Sequence, residues 1–145
     1  MGMYIHISIT ILLFGGGVCD SALKPLIMQQ KRTVRIISDA EFREHTDPIF
    51  KRLNILKLTD IYKINLLTYV HKTRSHGYFQ RNHNVNTRSS NFATPTFHRL
   101  HQTQRAVSYA GPNHWNSLPE NLKQIDKLSR FKIEVKKFFI NNYDD

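Results

Sequence analysis

The amino-acid sequence predicts a mainly α-helical protein: a small helical bundle, a long basic loop and a C-terminal helical unit. Three observations carry that expectation. Apolar residues recur at spacings of three and four over 21–38, 59–72 and 128–141, the period of an amphipathic helix. Leu, Ile, Val and Phe supply 42 of the 145 residues, above the roughly 20% below which a charged chain stays unfolded. Between the periodic stretches, 75–110 holds only six such residues in 36, with Asn and Ser favouring turns. The expected organisation is a divergent segment 1–20, a helical region 21–74, a basic, aromatic-containing loop 75–110 and a C-terminal helical unit 111–145.

Taken in order, Tyr4-Ile5-His6-Ile7-Ser8-Ile9-Thr10-Ile11 alternates apolar and polar with period two, which reads as a short N-terminal strand. The competing reading is a signal peptide. It is disfavoured because no Lys or Arg precedes the apolar run and His6, Ser8 and Thr10 interrupt it. Gly15-Gly16-Gly17 then reads as a loop, since no phosphate-binding motif follows. Over 21–38, Leu23, Leu26, Ile27, Val34 and Ile37 form one stripe. Pro25 fits only the first turn, and Lys31, Arg32 and Arg35 complement the helix C-terminus. A short helix opens near Pro48 with Thr46 or Asp47 as cap. The next runs over about 59–72, capped by Thr59, with Leu58, Ile61, Tyr62, Leu66, Tyr69 and Val70 inward. These three helices can share one core. The last helix spans about 128–141. Leu128, Phe131, Val135, Phe138 and Phe139 point inward there, and Lys132, Lys136 and Lys137 outward.

Charge narrows the partner. Lys and Arg total 21 against 11 Asp and Glu, a net charge of +10. No carboxylate occurs between Asp60 and Glu120, while that span carries seven Lys or Arg and six of the eight histidines, His71 and His114 among them. A solvated helix face ordinarily mixes signs. An anionic partner is implied, nucleic acid before a membrane surface. The bland alternative is an unselected basic coil. No run approaches the roughly 20 apolar residues of a membrane-spanning helix.

Several stretches together carry a family resemblance. They are Leu23-Lys24-Pro25-Leu26, Gln30-Lys31-Arg32-Thr33-Val34-Arg35-Ile36-Ile37 and His45-Thr46-Asp47-Pro48-Ile49-Phe50-Lys51-Arg52-Leu53-Asn54-Ile55-Leu56-Lys57-Leu58. Asn86-Thr87-Arg88, Tyr109, Gly111-Pro112 and Trp115-Asn116-Ser117-Leu118-Pro119 follow in the same order. Over about 23–142 the chain resembles the region beyond the polymerase core in non-LTR, LINE-type, jockey-like retrotransposon reverse transcriptases. Members of that family copy RNA into DNA with two magnesium ions held by palm-domain aspartates. The resemblance places this chain beyond that palm domain and implies a non-catalytic tail. The segment before Leu23 departs from the pattern, so a truncated copy with a new start is expected.

The residues support no catalytic set. Tyr143-Asp144-Asp145 lacks the spacer of the polymerase signature and sits where the C-terminus is expected to fray, so two-metal chemistry is not expected from it. His98-x-x-His101 has helical ligand spacing but no further ligands, and Cys19 stands alone; no metal and no cofactor are expected. The best functional signal is Arg74, Arg81, Arg88, Arg99 and Arg105 interleaved with aromatics such as Tyr78 and Phe97. Cations on phosphates and bases on aromatic faces hold single-stranded nucleic acid. Alternatively the aromatics pin the loop onto the helices. Trp115, bracketed by Gly111-Pro112 and Leu118-Pro119 in a short rigid turn, is read as a structural anchor on Phe131 or Phe138. Pro112 fixes a dihedral in that turn, and Pro119 opens the next helix.

The expected function is therefore a non-catalytic accessory that binds RNA or single-stranded DNA weakly and salt-sensitively. One alternative is a protein–protein module docking on the polymerase core or another protein; the other is a relic with no selected activity. A nuclear or cytoplasmic setting is expected over secretion.

Overall fold

The computed structural model describes residues 20–73 and 107–144. Six α-helices lie within them: α1 (Asp20–Ile37), α2 (Thr46–Arg52), α3 (Leu58–Thr73), α4 (Val107–Asn116), α5 (Glu120–Lys123) and α6 (Leu128–Asn141). A 3-10 turn, Asn142–Asp144, closes the chain. The fold is mainly helical, and no strand occurs among the described residues. The N-terminal alternation at 4–11 lies outside them.

Two of the helix ends share one device. Asp39 and Asn54 adopt positive φ, 51° and 55°, a conformation Asp and Asn tolerate better than other residues with a Cβ. After each, the chain folds back onto the helix it has left. Ala40 N–H donates to the Arg35 carbonyl at 3.0 Å, and Ile55 N–H to that of Phe50 at 3.0 Å. The residues at positive φ donate to Ile36 (3.3 Å) and Lys51 (3.0 Å) respectively. Both are Schellman motifs, which occupy carbonyls the helix leaves open. Ile55 also joins Phe50 in the apolar cluster it closes.

The start of α2 differs from expectation. Its N-cap is His45, and Thr46 is buried inside the first turn. Asp47 does not cap; its carboxylate lies 2.9 Å from the Lys57 ammonium. An opposite charge from the α2–α3 connection outcompetes the helix end for that oxygen. Pro25 likewise stands one turn deeper in α1 than a first-turn proline.

Buried side chains divide into two clusters rather than one. The first joins Leu67 and Val70 of α3 to Trp115, Leu118, Leu122, Phe131 and Val135. The second joins Val34, Ile49 and Phe50 to Ile140 and Tyr143. Helix α6 enters both; Phe131 and Val135 are inward as its periodicity predicts, but Ile140, not expected inward, is buried and Lys136, expected outward, is half-buried. Phe131 and Val135 are fully buried, Phe138 and Phe139 partly, while Lys132 and Lys137 are exposed.

The expected α1 stripe is only half used. Val34 is buried, yet Leu26 and Ile37 are 55% and 62% exposed. Gln30 takes the inward place on that side. Its Nε2 donates to the Leu56 carbonyl (2.8 Å) and its Oε1 accepts from Leu58 N–H (2.9 Å). Two hydrogen bonds to otherwise open backbone groups fix α1 against the α2–α3 connection. In α3 the buried set is Asp60, Leu66, Leu67, Thr68, Val70 and His71, while Tyr69, expected inward, is 41% exposed. α3 is covered on several sides, by α1, α4 and α6, so no single stripe describes it.

Candidate nucleic-acid interface

Arg74, Arg81, Arg88, Arg99, Arg105, Tyr78 and Phe97 lie outside the described residues, as do Cys19, His98 and His101. What the structure places is the pair of helices leading into and out of that basic stretch. They pack on each other: α3 ends at Thr73 and α4 begins at Val107. The helical unit therefore starts at Val107, four residues inside the stretch expected to be loop. Thr73 closes α3 by donating its hydroxyl to the Tyr69 carbonyl at 2.8 Å. Lys72 beside it is exposed.

His71 stands among the cations of the acid-free span in sequence, but it is a core residue. It is 6% exposed, one turn beyond Leu67 on a covered side of α3. Its Nε2 lies 2.6 Å from the Ile125 carbonyl, and a carbonyl can only accept, so this nitrogen carries the proton. The ring lies 4.4 Å, centroid to centroid, from Phe131 and meets Trp115 edge-on at 6.2 Å. The imidazole thus ties α3 to the connection before α6 and is withdrawn from any solvent-facing path.

Trp115 is a packing residue at 8% exposure. Its indole lies 5.7 Å from Phe131 and tilted by 34°, within the range of favourable aromatic pairs. The turn expected to hold it is half right. Gly111 and Pro112 sit inside α4, both buried, so Trp115 is carried on a helical last turn. Pro112 cannot donate to the carbonyl four residues back; burying its ring compensates for that lost bond. Only Leu118-Pro119 forms the break, where Leu118 N–H donates to the Trp115 carbonyl at 3.1 Å. Pro119 is the N-cap of α5, its carbonyl accepting from Leu122 N–H at 3.1 Å.

Near this anchor, His114 is half-buried, and its pKa is lowered by burial and then by the Lys63 ammonium. Lys63 itself pairs with Asp60 at 3.0 Å and stands 5.5 Å over the Phe139 ring. His114 is thereby held toward its neutral form.

The C-terminus is not frayed at Tyr143, which is 7% exposed. Its hydroxyl accepts from Lys57 N–H at 2.9 Å, and its ring packs edge-on against Phe50 at 6.3 Å. Its helical spacing after Phe139 and Ile140 signals burial of the ring, but nothing local signals its Lys57 partner.

One open surface feature is a cleft of about 610 Å³ between α1 and the chain after it, lined by Met28, Arg32, Arg35, Ile36 and Phe42. Ile36 and Phe42 are 74% and 81% exposed. Among the described residues no three His, Cys, Asp or Glu side chains gather as a metal site. No described helix is long and apolar enough to cross a membrane. No protein-family model, curated protein or solved structure matches the chain.

Proposed function

We propose that this chain is a non-catalytic accessory that holds single-stranded RNA or DNA by its phosphates with little sequence preference. Its resemblance to the region beyond the palm domain of non-LTR reverse transcriptases supports the same reading. The observation that carries it is the absence of any carboxylate between Asp60 and Glu120 in a span with seven Lys or Arg, of which Lys63 pairs back with Asp60 at the edge of the span. Phosphate neutralisation needs cations that no nearby acid already satisfies. The test is anisotropy of a fluorescein-labelled oligouridylate across salt concentrations. If Arg81, Arg88, Arg99 and Arg105 each neutralise a phosphate, together they contribute about −3 to the log–log slope. Changing all four to Gln flattens it. Salt-independent binding overturns the proposal.

A second reading, a protein–protein module, is favoured by the α1 cleft, where Met28, Ile36 and Phe42 stand exposed together. Contiguous exposed apolar side chains mark interaction surfaces. Binding to a protein partner that survives high salt and is lost with Phe42→Ser would support it.

A further inference from the structure

The outer side of α6 offers a second cationic surface, on a packed helix outside the acid-free span. The helix is fixed in register because Phe131 and Val135 are fully buried. Helical periodicity then turns two ridges away from the core. Lys132 and Lys136 form one, four residues apart, before that ridge reaches the buried Ile140. Arg130 and Lys137 form the other, with Ile133 between the ridges at 55% exposure. Arg130 and Lys132 are exposed and Lys136 half-exposed. The acid on this helix, Glu134, is already paired with Lys137 at 3.0 Å. No ion pair among the described residues engages Arg130, Lys132 or Lys136.

Three unneutralised cations within two helical turns select an anionic partner, and the surroundings decide which kind. A membrane-surface helix needs its apolar side for the acyl boundary, but here that side is buried and only Ile133 remains. An acidic protein partner would be held chiefly by aromatic anchors at the interface centre, and this face carries none. A phosphodiester strand needs neither. Successive charges of a strand meet Lys132 and Lys136, about one helical turn or roughly 5.4 Å apart, and a strand that crosses Ile133 reaches Arg130 on the other ridge. We infer that Arg130, Lys132 and Lys136 of α6 form a phosphate-backbone contact site for single-stranded nucleic acid, additional to the arginines of the loop. This inference rests on the proposed nucleic-acid function and locates a separate part of that interface.

The experiment uses the full chain and the labelled oligouridylate, comparing wild type with an Arg130→Gln, Lys132→Gln, Lys136→Gln triple variant. Loss of three phosphate contacts lowers the magnitude of the log–log salt slope by about 2. Circular dichroism and Trp115 emission confirm that the variant remains folded. Glu134→Gln supplies the opposite arm, which misfolding cannot mimic: releasing Lys137 steepens the slope and tightens binding. A triple variant with wild-type slope and affinity overturns the α6 site. If the four loop substitutions still flatten the slope in that case, the wider proposal stands without it. Wild-type protein with no salt-dependent binding overturns both.

Discussion

The hydroxyl of Tyr143 accepts a 2.9 Å hydrogen bond from the backbone N–H of Lys57, 86 positions earlier. The Lys57 ammonium also stands 4.2 Å over the same ring while pairing with Asp47 at 2.9 Å. The chain's last described turn is thus tied to the α2–α3 connection by a hydrogen bond, a cation over an aromatic face and buried apolar area.

Tyr143→Phe keeps the ring against Phe50 but leaves the Lys57 N–H unpaired. The expected cost is about 1–2 kcal/mol in chemical denaturation. The pH dependence has a definite sign. Burial, opposed in part by the Lys57 N–H and reinforced by Asp60 and Asp47, raises the phenol pKa well above 10.0. A raised folded-state pKa means stability is present below the unfolded pKa and lost as pH climbs beyond about 10. The Phe variant lacks that alkaline contribution; an unchanged alkaline profile in Tyr143→Phe contradicts the assignment.

Trp115→Ala removes an indole packed on Phe131 and His71 and is expected to cost about 3–5 kcal/mol. That is a large share of the stability of so small a domain. The wild-type indole should emit at a blue-shifted maximum and resist iodide quenching, before and after oligonucleotide is added. A water-like maximum that changes only on adding oligonucleotide would make the indole a base-stacking platform instead.

His114 titrates below 6.5 in the folded protein because of burial and then the Lys63 charge. Between its folded and unfolded pKa values the unfolded chain binds more protons. Stability therefore falls as pH drops from about 6.5. His114→Gln should show a shallower loss of stability over that acidic range than wild type. Identical slopes in urea titrations across the range would remove His114 from the account.

Template-directed nucleotide incorporation is not expected from the purified chain with magnesium, primer and RNA template. Two-metal transfer requires carboxylates held around an ion pair, and Tyr143-Asp144-Asp145 lacks the spacer of the polymerase signature. Incorporation that disappears in the Asp144→Ala, Asp145→Ala variant would reverse this.

Most of α6 was legible in the sequence, its buried Ile140 excepted. The bounds of α6 and its inward Phe131 and Val135 follow from a 3.6-residue period alone. α3 is located but its inner set is blurred: Asp60, Thr68 and His71 are buried by neighbours on several sides, and no single period reports that. α4 was hidden because Gly111-Pro112 is a turn signal locally, and only packing against α3 makes it helical. Gln30 and Tyr143 were missed for a related reason. Their roles depend on hydrogen bonds to backbone 26 to 86 positions away, which local pattern does not encode. The arginines and aromatics of the basic stretch were named from composition, and they lie outside the described residues.

The first apolar cluster has a thermodynamic consequence. Leu67 and Val70 come from one side of the 74–106 interval, and Trp115, Leu118, Leu122, Phe131 and Val135 from the other. The second cluster is divided likewise, Val34, Ile49 and Phe50 facing Ile140 and Tyr143. Neither half of the chain owns a complete interior. Folding is therefore equivalent to the docking of two polypeptide partners that share one covalent tether. Each partner alone leaves uncovered the apolar side chains that the other would bury.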